Sequence, residues 1–564
     1  MPCAFAQDGC TPPTGVSVDS IPGGAPVTVI YTNFPGAPTN VVPGLGVPFA
    51  PGTSTVTFVR PWISADDSQF ALEIDADTGS TSDDNCLLLN GALLMQEGTQ
   101  APWGAPGELI GTIDDSYGIN NAGDILIGNN TTAAANDDYV VLISGGVFTA
   151  LAQEGGLVDP FLPSLAGATW DDALDTCRLA TTGPLFNGDG IDGLAGGTIG
   201  DEIQLIPGGF LRESFDAPIG LVTPALWENF TFEEFYVSAD GSTYVLMGDT
   251  DGATTEDQIL TVNNVVVLQE GFAIAGGPFI EPIDSSGIVQ AWLDHGGNWY
   301  ARGNNDVTEQ DWVVRNGAVV AFSDGSDPIV PGATEYWSDT DFSDCFFGFD
   351  GNSSGAYIIA GVTDAPSDAN GVIVYDDGTG NRMVVVREND PVDIDGDGFY
   401  DDDLYFNTFG NDDELLLESG DVIFTATLRN GAGATVCTGI FRVTPGGASC
   451  ALRNGTGINN LGFDCSTLPV LGSTFTVDVP VGSTTALTFA MTAFAPMAPL
   501  PLLTGEVLID TNAISIPGFG AHNIPLPANP SFTGLPFFMQ GFRFDTAGGG
   551  TIVFYNAIDA IVGN

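Results

Sequence analysis

The sequence predicts an all-β protein, a seven-bladed β-propeller over residues 55–444 followed by a β-sandwich over residues 445–564. Three observations carry this reading. A hairpin motif recurs along most of the chain. Turn residues are abundant, with 75 glycines and 36 prolines. After Gly446 the repeat stops and plain alternating strands take over.

The repeat is clearest where an acid, an apolar strand and a Gln-Glu-Gly triplet follow one another. Asp84-Asn85-Cys86-Leu87-Leu88-Leu89-Asn90-Gly91 leads to Gln96-Glu97-Gly98, and Asp257 through Asn264 leads to Gln269-Glu270-Gly271. Asp311 through Gly317 reaches Asp324-Gly325 at the same offset of 13 residues. Looser copies close at Glu154, Glu213 and Glu388. The closing acids are spaced by 57, 59, 57, 54 and 64 residues. Each copy reads as two apolar strands joined by Asn-Gly or Gly-Gly, a tight-turn signature. A second turn and strand lie upstream, as in Asn121-Ala122-Gly123-Asp124 and Ala239-Asp240-Gly241-Ser242. Two hairpins per repeat make a four-stranded unit, and a ring of such units is a propeller. A last unit runs from Gly420 to Val443.

Residues 1–54 read as an export remnant and an extended arm. Ala4-Phe5-Ala6 before Gln7 matches a signal-peptidase site, although no apolar stretch precedes it. Val27 to Tyr31 is strand-like, suited to closing the ring or to completing a neighbour's sheet. Past Gly446, Thr474 to Val479 and Leu487 to Met491 alternate as sandwich strands do.

Composition narrows the function classes. The net charge is −61, the eleven basic residues are all arginine, and there are two histidines. Such a chain repels nucleic acid and anionic membranes. Without lysine it has no Schiff-base or P-loop chemistry. Two distant histidines do not make a polyhistidine zinc site. A hydrophobic content of 43% excludes a disordered acidic tail. Acidity of this degree suits salty water, where ~0.5 M salt shortens the Debye length to about 4 Å. The expected location is secreted, extracellular or at the cell surface. Of eight cysteines none forms a CxxC pair, and Cys450 with Cys465 is the plausible disulfide. No membrane span is expected.

The blades resemble secreted tandem-repeat proteins of planctomycetes and related marine bacteria. The last third resembles the C-terminal domain common to those proteins, through Gly472 with Phe475, Leu526 to Leu535, Phe537-Phe538-Met539-Gln540-Gly541 and Tyr555-Asn556-Ala557. The resemblance implies export and β structure and no activity.

No catalytic residue is assigned. Glu97, Glu154 and Glu270 could ring an axis, but a repeated turn residue explains them better. Ser238 to Tyr244 is one residue short of a sialidase Asp-box and reads more simply as a hairpin turn. His295 has no Gly-x-Ser-x-Gly partner. One ion site is expected. In Asp393-Ile394-Asp395-Gly396-Asp397-Gly398-Phe399-Tyr400-Asp401-Asp402-Asp403, the ligands to Ca²⁺ would be Asp393, Asp395, Asp397, the Phe399 carbonyl, Asp401 and Asp403. Five aspartates at such spacing repel one another without a cation. Leu404 stands where an EF-hand loop carries its bidentate acid, so the expected site is weak and structural. The expected role is a secreted, non-catalytic structural or adhesive protein, partnered by itself or by an extracellular glycan. The alternative is a carbohydrate-active or glycan-binding propeller with its site on the axis.

Overall fold

The protein is described from a computed structural model. It covers residues 27–563 except 54–56, 134, 173, 175, 193–199, 279–280, 306–309, 332, 339–343, 397–401, 447, 470–473, 495, 511–512, 527–534 and 547–549. The all-β class holds: among the described residues every regular element is a strand, apart from one 3-10 turn at Pro163–Leu165.

Seven antiparallel sheets of four or five strands follow one another from Trp62 to Val443. The first has strands Trp62–Ile63, Phe70–Asp75, Asn85–Leu89 and Ala92–Gln96 in sequential order. The second spans Ile110–Ile119 to Val147–Gln153, and the third Thr169–Asp172 to Gly209–Arg212. The fourth runs from Trp227–Val237 to Val265–Gln269, the fifth from Ile283–Leu293 to Ala318–Phe322, and the sixth from Phe346–Gly351 to Arg382–Arg387. The seventh joins Leu404–Phe409, Leu415–Leu416, Val422–Asn430 and Thr435–Val443 to the N-terminal strand Val27–Thr32.

The sheets pack in a cycle. Leu87 and Met95 of the first share a buried cluster with Tyr117 and Val141 of the second. Val140, Trp170, Phe186, Phe235 and Leu246 link the second, third and fourth. Met247, Trp292, Trp312, Phe349 and Val372 link the fourth, fifth and sixth. Ile358 and Val385 meet Phe406 and Phe424 of the seventh. Ile423 and Ile440 of the seventh then meet Leu72, Ile74 and Cys86 of the first. Asp67, in the first turn of the first sheet, accepts the backbone N–H groups of Glu418 and Ser419 in the seventh. Every sheet therefore has a neighbour on each face, and none is left to face water with its apolar side.

The repeated sequence signals have local physical causes. Asn90, Asn263 and Asn316 adopt the left-handed backbone at φ of 51°, 52° and 49° that a tight hairpin demands. Their side chains accept the N–H of Phe70, Tyr244 and Trp299 on the neighbouring strand. Gln96, Gln153 and Gln269 donate to the carbonyls of Asp83, Asn136 and Glu256. Glu154, Glu213, Glu270 and Glu388 accept the N–H of Asp137, Gly200, Gln258 and Gly371, at or just before the third strand of each sheet. The recurring carboxylates are thus hairpin clasps and do not converge on an axis.

The N-terminal arm is not free. Val27 to Thr32 pairs with Val443 to Gly439, and Phe49 and Phe58 are buried in the first-to-seventh junction. Residues 1–26, including the expected cleavage site, lie outside the described residues. Beyond the seventh sheet, a five-stranded sheet carries Ser449–Arg453, Thr551–Ile561, Pro536–Asp545, Thr485–Ala493 and Ile514–Gly518 in that spatial order. A three-stranded sheet (Asp464–Cys465, Thr474–Asp478, Ala521–Pro525) covers one face through Phe463, Phe475, Val477, Met539 and Ile558. The Cys450–Cys465 disulfide ties the two sheets together.

Candidate functional site

The first strand of each ring sheet alternates inward and outward, so residues two apart point the same way. The inward positions just before the first turn bring together residues from five sheets, and Tyr117 of the second sheet packs against them from one position earlier. Trp62 lies 5.7 Å from Tyr117, 6.4 Å from Tyr236 and 5.9 Å from Trp292, centroid to centroid. Tyr236 meets Trp292 edge-on at 4.3 Å. The Arg178 guanidinium sits over Trp62 at 4.6 Å and Tyr236 at 4.7 Å. Trp292 Nε1 donates to Asp350 at 2.5 Å, and the other Asp350 oxygen accepts Leu416 N–H at 2.8 Å. Residues some 60 positions apart in the chain meet this way only where the sheets converge.

Two residues deeper on the same strands lies a charged layer. Arg60 stacks on Trp292 at 3.7 Å. Glu234 accepts Ala291 N–H at 2.7 Å. Gln290 receives Arg302 Nε at 3.0 Å, and Arg302 also reaches Asp412 at 3.3 Å. Glu414, 1% exposed, lies against Gly348, where any side chain would collide with its carboxyl. Loss of water around these acids favours their neutral forms. Burial pushes Glu234 up to about 8 and Asp350 up to about 7. Burial raises Asp412 as well, and it raises Glu414 far above the carboxylate range, with Asp413 and Asp412 adding repulsion.

Above the aromatic layer, at the end of the ring carrying the first turns, an open cavity of about 290 Å³ is lined by Trp62, Asn120, Asn121, Arg178, Thr181 and His295, among others. Among the described residues no aspartate or glutamate lines it, although the chain has 72 of them. Its rim is fixed by turn-to-turn bonds. Ser68 Oγ donates to Asn121 O, Thr181 Oγ1 to Asp240 O, and His295 Nε2 lies 3.1 Å from Ile63 O. A much smaller void of about 60 Å³ is lined by Trp62, Arg178, Trp292, Asp294, Asp350 and Leu416, among others. The mouth therefore presents an indole, the exposed Asn121 amide, the Thr181 hydroxyl and a guanidinium. The Asn120 amide is engaged in its own turn, donating to Asp124 and accepting the N–H of Ala122 and Asp124. Of the raised acids, Asp350 shares the aromatic layer while Glu234 and Glu414 lie in the layer below.

The sequence-predicted sites fare differently. Asp393, Asp395 and Asp402 bring carboxylate oxygens within 4.8 Å of one another, a spacing an oxygen-ligated Ca²⁺ can bridge. Asp402 is an addition to the expected set, and its Oδ2 also accepts Ile394 N–H. Asp403 is not one of these three, and its Oδ1 accepts Gly431 N–H at 3.0 Å. Asp397, Phe399 and Asp401 lie outside the described residues. Ser238 to Tyr244 is a hairpin turn, with Asp240 accepting Ser238 Oγ and Ser242 N–H. His295 belongs to the cavity rim rather than to a triad. The axial residues escaped sequence reading because each repeat contributes a different chemical type. The usable signal was position: Trp62, Arg178, Tyr236, Trp292 and Asp350 each stand two residues before the first turn of their unit.

No protein-family model matches the chain, and no curated protein matches it. Among solved structures it is similar to a sialidase from Trypanosoma rangeli, at 8% identity, covering 95% of each chain with a TM-score of 0.28. It is also similar to the subtype N11 neuraminidase-like protein of A/flat-faced bat/Peru/033/2010, at 9% identity, covering 78% of this chain and 98% of that one with a TM-score of 0.27. A glycoside hydrolase structure shares 10% identity over 92% of this chain and 97% of its own, with a TM-score of 0.21.

Proposed function

We propose that the chain is a secreted, non-catalytic, glycan-binding adhesive protein, a seven-bladed β-propeller with a C-terminal β-sandwich, whose ligand enters the axial mouth. The observation that carries this reading is the acid-free cavity beside Trp62 in a chain of net charge −61. An indole face with amide and guanidinium donors suits the apolar face and hydroxyl rim of a sugar ring. Catalysis by the raised acids is disfavoured because Glu234 and Glu414 lie one layer deeper, about 6.6 Å along the strand. The disulfide accords with an oxidising, extracellular setting. The resemblance to secreted bacterial repeat proteins accords with it too. A structural Ca²⁺ held by Asp393, Asp395 and Asp402 would pin the loop between the sixth and seventh sheets.

Titration calorimetry against a panel of neutral and acidic oligosaccharides tests the proposal. Ala65→Trp and Ala239→Trp fill the cavity from its rim without touching the core. Binding by the native chain that both variants abolish, with thermal melting unchanged, is the expected result. Binding that survives both, or no binding across the panel, overturns it. Hydrolysis of any bound oligosaccharide would restore the enzymatic alternative.

A further inference from the structure

We propose that the open apolar face of the C-terminal unit is a contact between copies of this chain, in which the leucine tip of one copy's hairpin fills the groove of the next. This goes beyond the glycan-binding reading and shares no residue with it. The five-stranded sheet has two apolar faces, and the three-stranded sheet covers only one. Over the other lies the hairpin Pro496–Leu502 and Gly505–Ile509, whose Met497 and Val507 pack on Phe489, Phe542 and Phe554. The hairpin does not cover the whole face. Beside it a groove of about 460 Å³ remains, lined by Leu487, Phe489, Met491, Phe542, Phe544 and Ile552. The single charge at the groove, Arg543, is already paired with Asp545 at 3.0 Å.

The same unit supplies a knob. Leu500, Leu502 and Leu503 end the hairpin in water, and Leu503 is 78% exposed. Leu503 also has φ of 57°, a turn conformation that glycine or asparagine adopts with less strain. The tip thus carries two costs, exposure and strain, that no contact among the described residues offsets. Such uncompensated strain points to a role outside the chain.

Charge selects the occupant. Residues 446–564 carry two arginines and six carboxylates, a net −4, while the rest of the chain carries −57. Two copies meeting at their rings would repel strongly. Two copies meeting at these near-neutral units would not, and each brings the leucines the other's groove lacks. A knob on one surface and a hole on another make a head-to-tail contact, which propagates into chains unless rotation closes a ring.

Sedimentation velocity on the full chain at rising concentration, in low and high salt, tests this. Native protein is expected to associate, and more strongly in high salt as ring repulsion is screened. Leu503→Asp removes the knob and Ile552→Asp removes the hole, and both sites are already exposed. Each variant alone should associate at least about tenfold more weakly, a loss of ~1.4 kcal/mol. Mixed together they should form discrete pairs, since one keeps the hole and the other the knob. Native chain that stays monomeric at every concentration and salt overturns the proposal. So does association that neither variant weakens, or a mixture that stays monomeric. A groove that takes up an apolar dye in protein that remains monomeric assigns it to a small ligand instead. Glycan binding is expected to be unchanged in both variants, so failure here leaves the axial reading intact.

Discussion

The ring and the C-terminal unit solve the same problem in opposite ways. Both are antiparallel β structures that must protect their edges and bury their apolar faces. The ring does so by circularity: its seven sheets share clusters in a cycle, and Val27–Thr32 pairs with Thr435–Val443 of the last sheet. The C-terminal unit has no cycle. Its five-stranded sheet ends at Ile514–Gly518, one apolar face is half covered, and a disulfide holds its two sheets. The ring can therefore carry −57 of charge on a self-sufficient scaffold. The unit that lacks closure is also the one that keeps its charge low. Self-sufficiency and stickiness are divided between two parts of one chain.

The comparison breaks most visibly at the latch. Deleting residues 1–32 removes Val29, Ile30 and Tyr31 from the core of the seventh sheet and its junction with the first. The ring should lose its cooperative melting transition while the C-terminal unit keeps its own, and calorimetry will separate the two. Two transitions of unchanged position would mean that the strand is dispensable. The converse cut is Cys450→Ser with Cys465→Ser. A crosslink closing 15 residues contributes ~3 kcal/mol. The C-terminal transition should move by about that amount in urea, with the ring unaffected.

A third, smaller effect sharpens the contrast through pH. The ring's axis holds buried acids with raised folded-state values. An acid whose folded pKa is raised binds its proton more tightly folded than unfolded. Its contribution is greatest below the unfolded value and is lost as pH climbs through the folded one. Glu234 and Asp350 place that window between about 4 and about 8. Ring stability should fall by on the order of 1–3 kcal/mol from about pH 5 to about pH 8. Glu414→Gln keeps a neutral side chain beside Gly348 at every pH and should flatten the profile. A ring that gains stability over this window would contradict the assignment. The smallest effect is at the Asp393, Asp395 and Asp402 loop. Chelator should lower the ring's melting temperature by about one degree, equivalent to ~1 kcal/mol for a domain of this size. Asp395→Asn with Asp402→Asn should abolish that sensitivity, and a melt indifferent to millimolar Ca²⁺ would remove the ion.

Legibility followed the same division. The hairpins were readable because Asn90, Asn263 and Asn316 each meet a backbone requirement that few other residues satisfy. Gln96, Gln153 and Gln269, with Glu154, Glu213, Glu270 and Glu388, repeat because the bonds they make repeat. The axis was not readable. Trp62, Arg178, Tyr236, Trp292 and Asp350 occupy equivalent positions with unlike side chains, and their meeting depends on seven sheets closing, which no local window contains. The Asp393–Asp403 loop was half readable. Its density of acid marked the place, but backbone direction decided that Asp402 joins the cluster and Asp403 caps Gly431 instead.

The latch also sets a clock. Thr32 Oγ1 donates to Thr438 O across 406 positions of sequence. A ribosome adding ~5–20 residues per second needs roughly 20–80 s to produce the partner after the strand has emerged. Throughout that interval Val29, Tyr31 and the whole edge of the first strand have nothing to pair with. Six sheets can form in turn as they appear, but the circle stays open until the seventh arrives. The order of assembly is therefore written into its connectivity: the first strand of the ring to be synthesised is the last to meet its partner.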